Sequence, residues 1–404
     1  SYVELSMSVP RTGGAYVLAR EAHGGWLAFL TGWTFTLVGL AVCALLAQGF
    51  AVQVTTLLRD HIGLALPLWP WAAGLVTLSA INNVLGTRDR QRELLIVLLM
   101  VVLLGFALLA APRIQLDHYL APRRNLGGAL TFLMIPFVGI EITAVFQSEI
   151  RQRRRNAPRA LLLTPLLAAV LVALIVTVAV GAVGVDALAP HSIEGSEATP
   201  SRIPLVLLGA DVAGAAGRPF ILVIGALALA MALDQALMMV VRQVYAMSSD
   251  GFLPAALRRM QSRFRTPALL ITLVALPVLP LALLPVNFLG RLTSLLYVLI
   301  LMGVNLALLR RPQSTSAAFT LPFHPWVPGL TLAVDVLVGL LWGPFYLALT
   351  AACLGAGMVL YLLYARGHYA EAQEGVTVFK PPQEEEVGRA RYRILVPLAN
   401  PSTA

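Results

Sequence analysis

The chain is predicted to be an all-α polytopic membrane protein, a bundle of about eleven apolar spans, and three observations predict it. Hydrophobic residues make up 58% of the 404 and charged residues 12%, against roughly 45–50% and 25% in a soluble domain. Apolar runs long enough to cross a bilayer recur along most of the chain, so one integrated bundle is expected rather than several soluble domains. Arginines gather in every second interval between those runs, as the positive-inside rule requires of a chain that crosses back and forth.

The runs fall at 2–18, 26–56, 66–85, 94–111, 127–146 and 160–183, then at 220–247, 267–284, 288–309, 327–342 and 345–364. Their limits come from flanking charges and Pro/Gly punctuation. Arg88, Arg90 and Arg92 occupy one basic interval, and Arg151, Arg153, Arg154, Arg155 and Arg159 the next. Arg242, Arg258, Arg259, Arg263 and Arg265 fill a third, and Arg310 with Arg311 a fourth. These intervals are assigned to the cytoplasm, which also places the C-terminus there. The longest outer interval, 186–219, carries His191, Glu194, Glu197 and Asp211 among Pro, Gly and Ser, and reads as a solvated loop with room for one short helix.

The formal charge of +9 is not a nucleic-acid footprint, because the basic residues lie between spans rather than along one face. Cys43 and Cys353 fall inside apolar runs and read as small core residues. No nucleophile elbow, HExxH, paired CxxC or P-loop is present, so soluble enzyme chemistry is disfavoured and no cofactor or metal is expected. After residue 366 the composition changes: 367–391 is a charged linker around Pro381, Pro382 and Glu384–Glu386, and 392–404 opens with a short β-like run.

One apolar segment stands apart. Residues 127–146 are interrupted at the centre by Pro136, Gly139 and the carboxylate Glu141. A bilayer offers no water to freed backbone groups, so a broken helix persists only where it faces protein or a wet cavity. An ionisable group there is a functional hypothesis by default. The break would present carbonyls from one half-helix and amides from the other, which suits the ammonium and carboxylate of a zwitterion. A Pro/Gly kink that merely relieves packing is the alternative. Asp234, within ALALAMALDQALMM, is the second intramembrane acid and would bind a cation or pair with a polar neighbour. Thr36 is a candidate substrate-facing hydroxyl whose alternative is a helix-to-helix hydrogen bond. Asp335 suits a packing or homodimer contact.

Several motifs then coincide. The opening YVELSMSVPRTGGAYVLAREAHGGWLAFLTGW, with Glu4, Pro10, Gly13, Gly14, Tyr16 and Trp33, resembles the second helix and start of the third in amino acid permeases of the amino acid-polyamine-organocation superfamily. Phe137-Val138-Gly139-Ile140-Glu141 followed by RRRNAPRA resembles the family's broken sixth helix and the basic loop behind it. RQVYAM, DGFLP and RTP, from Arg242 to Pro267, resemble the end of the eighth helix and its loop, and FHPWVP, from Phe323 to Pro328, the start of the eleventh.

The resemblance covers 1–366 and implies a LeuT-type bundle of two inverted repeats, the second at about 127–309. It implies that Ser1 lies inside the family's second helix, with the first helix absent from this sequence. By motif position it places Ile135, Pro136 and Phe137 at the substrate, Gly139 at the unwinding and Glu141 at proton linkage. The tail RILVPLANP resembles the first strand and turn of a universal stress protein domain, cut short.

The expected function is secondary active transport of an amino acid or related amine across the cytoplasmic membrane by alternating access. Coupling would be by H+ or Na+, as symport or exchange, with the lipid bilayer as partner and no nucleic acid. An amino-acid-binding membrane sensor without net flux is the alternative.

Overall fold

The computed structural model describes residues 16, 19–20, 24–64, 66–86, 90–120, 131–132, 134–139, 150, 153–184, 204–261, 263–264, 266–310 and 325–369. Those residues are helical or irregular, with no strand among them. The helices in chain order are α1 (Gly25–Ile62), α2 (Trp69–Leu85), α3 (Arg90–Ala110), α4 (Arg153–Val183) and α5 (Pro204–Ala213). They continue as α6 (Gly217–Ser249), α7 (Ala268–Leu281), α8 (Val286–Arg310), α9 (Trp326–Gly339) and α10 (Pro344–Leu360). Six stretches are long and apolar enough to cross a membrane: Gly25–Ile62, Leu94–Arg113, Asn156–Val183, Leu205–Ser249, Val286–Leu309 and Pro344–Tyr369. Ala268–Leu281 and Trp326–Gly339 are shorter apolar helices. The Glu141 position and the tail matched to a universal stress protein strand lie outside the described residues.

α1 and α6 form the spine. At 38 and 33 residues and 1.5 Å per residue they run about 57 and 50 Å, well beyond a hydrocarbon core of about 30 Å, so they tilt or emerge at their ends. They lie antiparallel in one register over their length. Gly32 meets Met247, Gly39 meets Val240, Gly49 meets Leu229, and Gln53 meets Gly225. A Cβ on Gly39 would collide with the stiff branched side chain of Val240, so the two backbones approach this closely only because glycine stands there. The main core grows around this seam from α1, α2, α6, α7 and α8, with Phe35, Leu233, Val240, Ile271 and Leu289 all essentially inaccessible. α10 closes on α1 where Trp33 Nε1 donates to the Cys353 carbonyl at 2.9 Å and the indole fills the space left by Gly357.

The segment ends sort into two groups. At one end Tyr16 donates to Asp250 Oδ2 at 2.6 Å, Arg20 pairs with Asp250 at 2.7 Å, and Phe252 stacks on Tyr369 at 4.3 Å. Burial works against the Arg20 charge, but the Asp250 carboxylate outweighs it and holds the guanidinium above its ordinary range. Thr266 Oγ1 donates to the Val84 carbonyl at 2.7 Å, joining the approach to α7 to the end of α2. At the other end Arg218 pairs with Asp60, Arg113 with Asp211 at 2.9 Å, and His118 Nδ1 donates to the Gly181 carbonyl at 2.7 Å. The short helix expected in the long outer interval is α5, which folds back so that Gly209 lies against Gly217.

Candidate functional site

The interruption read from the sequence is a departure from α-helix. Ile135–Phe137 forms a 3₁₀ turn with Pro136 in its first positions, closed by amide bonds from Ile135 to Phe132 O, Phe137 to Met134 O and Val138 to Ile135 O. Proline donates no amide and its ring crowds the preceding turn, which favours a departure from α-helix here. Val138 then turns extended, at φ −65° and ψ 127°, and Gly139 takes φ 105°, a left-handed value that a side chain would strain. Sequence, local geometry and the need for a non-helical stretch therefore agree at this point.

Tyr297 of α8 donates its hydroxyl to the Phe137 carbonyl at 3.0 Å. In an apolar layer a freed carbonyl is costly, and a protein hydroxyl is one of the few ways to satisfy it. Further up α8, Gly290 leaves room for Phe132 and for Ile135, whose Cδ1 lies 3.2 Å from where a Cβ would sit. Next to it the Arg291 guanidinium lies 5.6 Å from the Phe132 ring centroid and 6.0 Å from that of Tyr346, while Trp342 Nε1 donates to the Arg291 carbonyl at 3.0 Å. Positions 290/291, 294 and 297 recur every three to four residues and share one side of α8. The broken segment and α8 therefore run in parallel, with Phe132 level with Arg291 and Phe137 level with Tyr297.

The other sequence candidates stand elsewhere in the bundle. Thr36 Oγ1 donates to Gly32 O of its own helix at 2.8 Å, at the level where α1 faces α6. Asp234 Oδ1 accepts from Asn83 Nδ2 at 3.0 Å and from Asn82 Nδ2 at 3.4 Å, which ties α6 to α2. Asp335 accepts from Asn305 Nδ2 at 2.9 Å and is buried between α9 and α8. Among the described residues no group of three His, Cys, Asp or Glu is placed to hold a metal ion.

Gly290, Arg291, Ser294 and Tyr297 were not singled out from the sequence, where 288–309 reads as one more apolar span. The signal was nonetheless there, as an arginine and four hydroxyl or small residues packed into GRLTSLLY.

The family model described as amino acid permease matches residues 1–365. The branched-chain amino acid permease BcaP of Bacillus subtilis is 25% identical over 396 residues, covering 91% of this chain and 82% of the relative. That of Lactococcus lactis is 26% identical over 378 residues, covering 85% and 78%. A methylthioribose transporter of Bacillus subtilis is 24% identical over 396 residues, covering 91% and 82%.

Proposed function

The chain belongs to the amino acid permease family, and on that premise we propose that it is a secondary active transporter of neutral, apolar amino acids. It works in the cytoplasmic membrane by alternating access within a LeuT-type inverted-repeat bundle, with the arginine-rich end and C-terminus in the cytoplasm. The observation that carries the reading is the broken segment: backbone out of α-helix from Met134 to Gly139, its Phe137 carbonyl held by Tyr297.

In this reading Ile135, Pro136, Phe137 and Gly139 form the half-site for the amino and carboxyl groups, and Thr36 borders it. The apolar side chains of Phe132, Met134, Ile135 and Phe137 favour an aliphatic substrate, in keeping with two relatives named as branched-chain amino acid permeases. Asp234 holds α6 against α2 through Asn82 and Asn83, and Glu141 is the carboxyl assigned to carry the coupling proton.

Uptake of radiolabelled leucine into proteoliposomes tests the proposal, with unlabelled isoleucine, lysine and methylthioribose as competitors and imposed H+ and Na+ gradients. Uptake stimulated by an inward H+ gradient and competed by isoleucine is expected. The Glu141→Gln variant is expected to lose the pH dependence while retaining exchange. Competition by methylthioribose alone would move the substrate class. Binding with no passage of label under any gradient or in counterflow would make the chain a sensor.

A further inference from the structure

We infer that Arg291 is a docking group for the substrate carboxylate, placed on α8 at the mouth of the broken segment on the Asp60–Arg218 side of the bundle. This deepens the transport reading and rests on it. Its side is fixed by Gln48, late in α1, which donates to the Ala282 and Leu284 carbonyls just ahead of α8. The start of α8 is thereby tied to the end of the molecule opposite Arg20 and Asp250.

Three ion pairs join described residues, Arg20–Asp250, Arg113–Asp211 and Arg218–Asp60, and Arg291 is in none of them. Its Nε is buried with no hydrogen-bond partner, and its guanidinium is flanked by the rings of Phe132 and Tyr346. Ring faces attract the cation but accept none of its N–H bonds in plane, so the fork is left presenting donors. A half-buried guanidinium whose Nε is buried without an acceptor carries a cost, and the chemistry that satisfies it best is a planar carboxylate taken two bonds at a time.

A second observation points to the same ligand. Ser294, one turn further along this side of α8, is fully buried with its Oγ unpartnered. By the parallel register it stands at about the level of Met134 and Ile135. A carboxylate entering past Arg291 would meet the guanidinium first and the Ser294 hydroxyl next. The half-site proposed above would then receive the substrate. Gly290 belongs to this device, because the room it leaves lets Phe132 pack close to α8 beside the arginine.

The test compares leucine with leucinamide, which keeps the ammonium and side chain but lacks the carboxylate. Intact cells expose the Arg291 side to substrate, and everted vesicles expose the opposite side. In the native chain leucinamide is expected to compete with leucine at least about tenfold less well. Arg291→Gln is expected to raise the half-saturating leucine concentration in cells by about tenfold, with leucinamide little affected and everted-vesicle uptake keeping its half-saturation. Arg291→Lys should fall between, and Ser294→Ala should give a smaller shift of the same pattern.

Equal losses for leucine and leucinamide, or equal losses from both sides, would overturn the inference and leave Arg291 a packing residue. If Arg291→Gln does not accumulate, the Lys and Ala variants carry the same comparison. If the native chain binds leucine but moves none, the transport reading fails. Leucine-against-leucinamide binding to the purified protein and its Arg291→Lys form then still decides the docking role.

Discussion

The α1–α6 seam and the broken segment against α8 are both helix-scale contacts in the same apolar bundle, and they are built in opposite ways. Along α1 and α6 the backbone is regular α-helix, and glycines at 32, 39, 49 and 225 let large side chains of the partner fill the gap. From Met134 to Gly139 the backbone is not α-helical, and a side chain from another element donates to it. The first arrangement has one close-packed solution and resists displacement. The second leaves polar backbone and an unpartnered arginine and serine beside a flexible glycine, which is where a ligand can be recognised and where a helix can bend.

Substitutions that strike one seam and spare the other sharpen this contrast. The largest effect is expected from Gly39→Ala, because the new methyl meets the stiff Val240 side chain. Overpacking of this kind costs about 1–3 kcal/mol, so a clear fall in the thermal midpoint of the purified protein is expected. Gly32→Ala should cost less, since it meets the flexible end of Met247. Equal midpoints for the two variants would mean that α1 and α6 are not locked in this register.

Next comes Tyr297→Phe, which removes the donor to Phe137 while keeping the ring. Losing one such bond costs about 1 kcal/mol of stability. Leucine uptake is expected to drop by about tenfold, the equivalent of roughly 1.4 kcal/mol in the barrier. A loss of stability with uptake unchanged would make the tyrosine a structural cap and nothing more. The smallest effect is expected from Asp234→Asn, which keeps the shape and one acceptor for Asn83. An interhelical polar contact in a membrane protein is worth on average about 0.6 kcal/mol, so uptake of neutral and cationic substrates should fall slightly and equally. A selective loss for lysine would place the carboxylate at the substrate.

The sequence made some of this legible and hid the rest for identifiable reasons. Composition and the spacing of apolar runs gave the helical membrane class. Pro136 and Gly139 announced the break, because each acts on the backbone of its own residue. Tyr297, Arg291 and Gly290 were not legible as site residues, since their roles depend on which span lies beside 131–139. That adjacency is set by packing and leaves no periodic trace. Asp234 was visible as an intramembrane acid, whereas its Asn82 and Asn83 partners are 152 and 151 residues away in the chain.

Hydrogen–deuterium exchange of the purified full chain, with and without saturating leucine, tests the central claim most directly. Leucine is expected to slow exchange in peptides covering 131–139 and the first half of α8, while the amides of α1 and α6 along their shared seam stay slow and unchanged. Protection that appears along α1 and α6 instead, with no change around Pro136 and Tyr297, would contradict the assignment of the broken segment as the place where substrate binds.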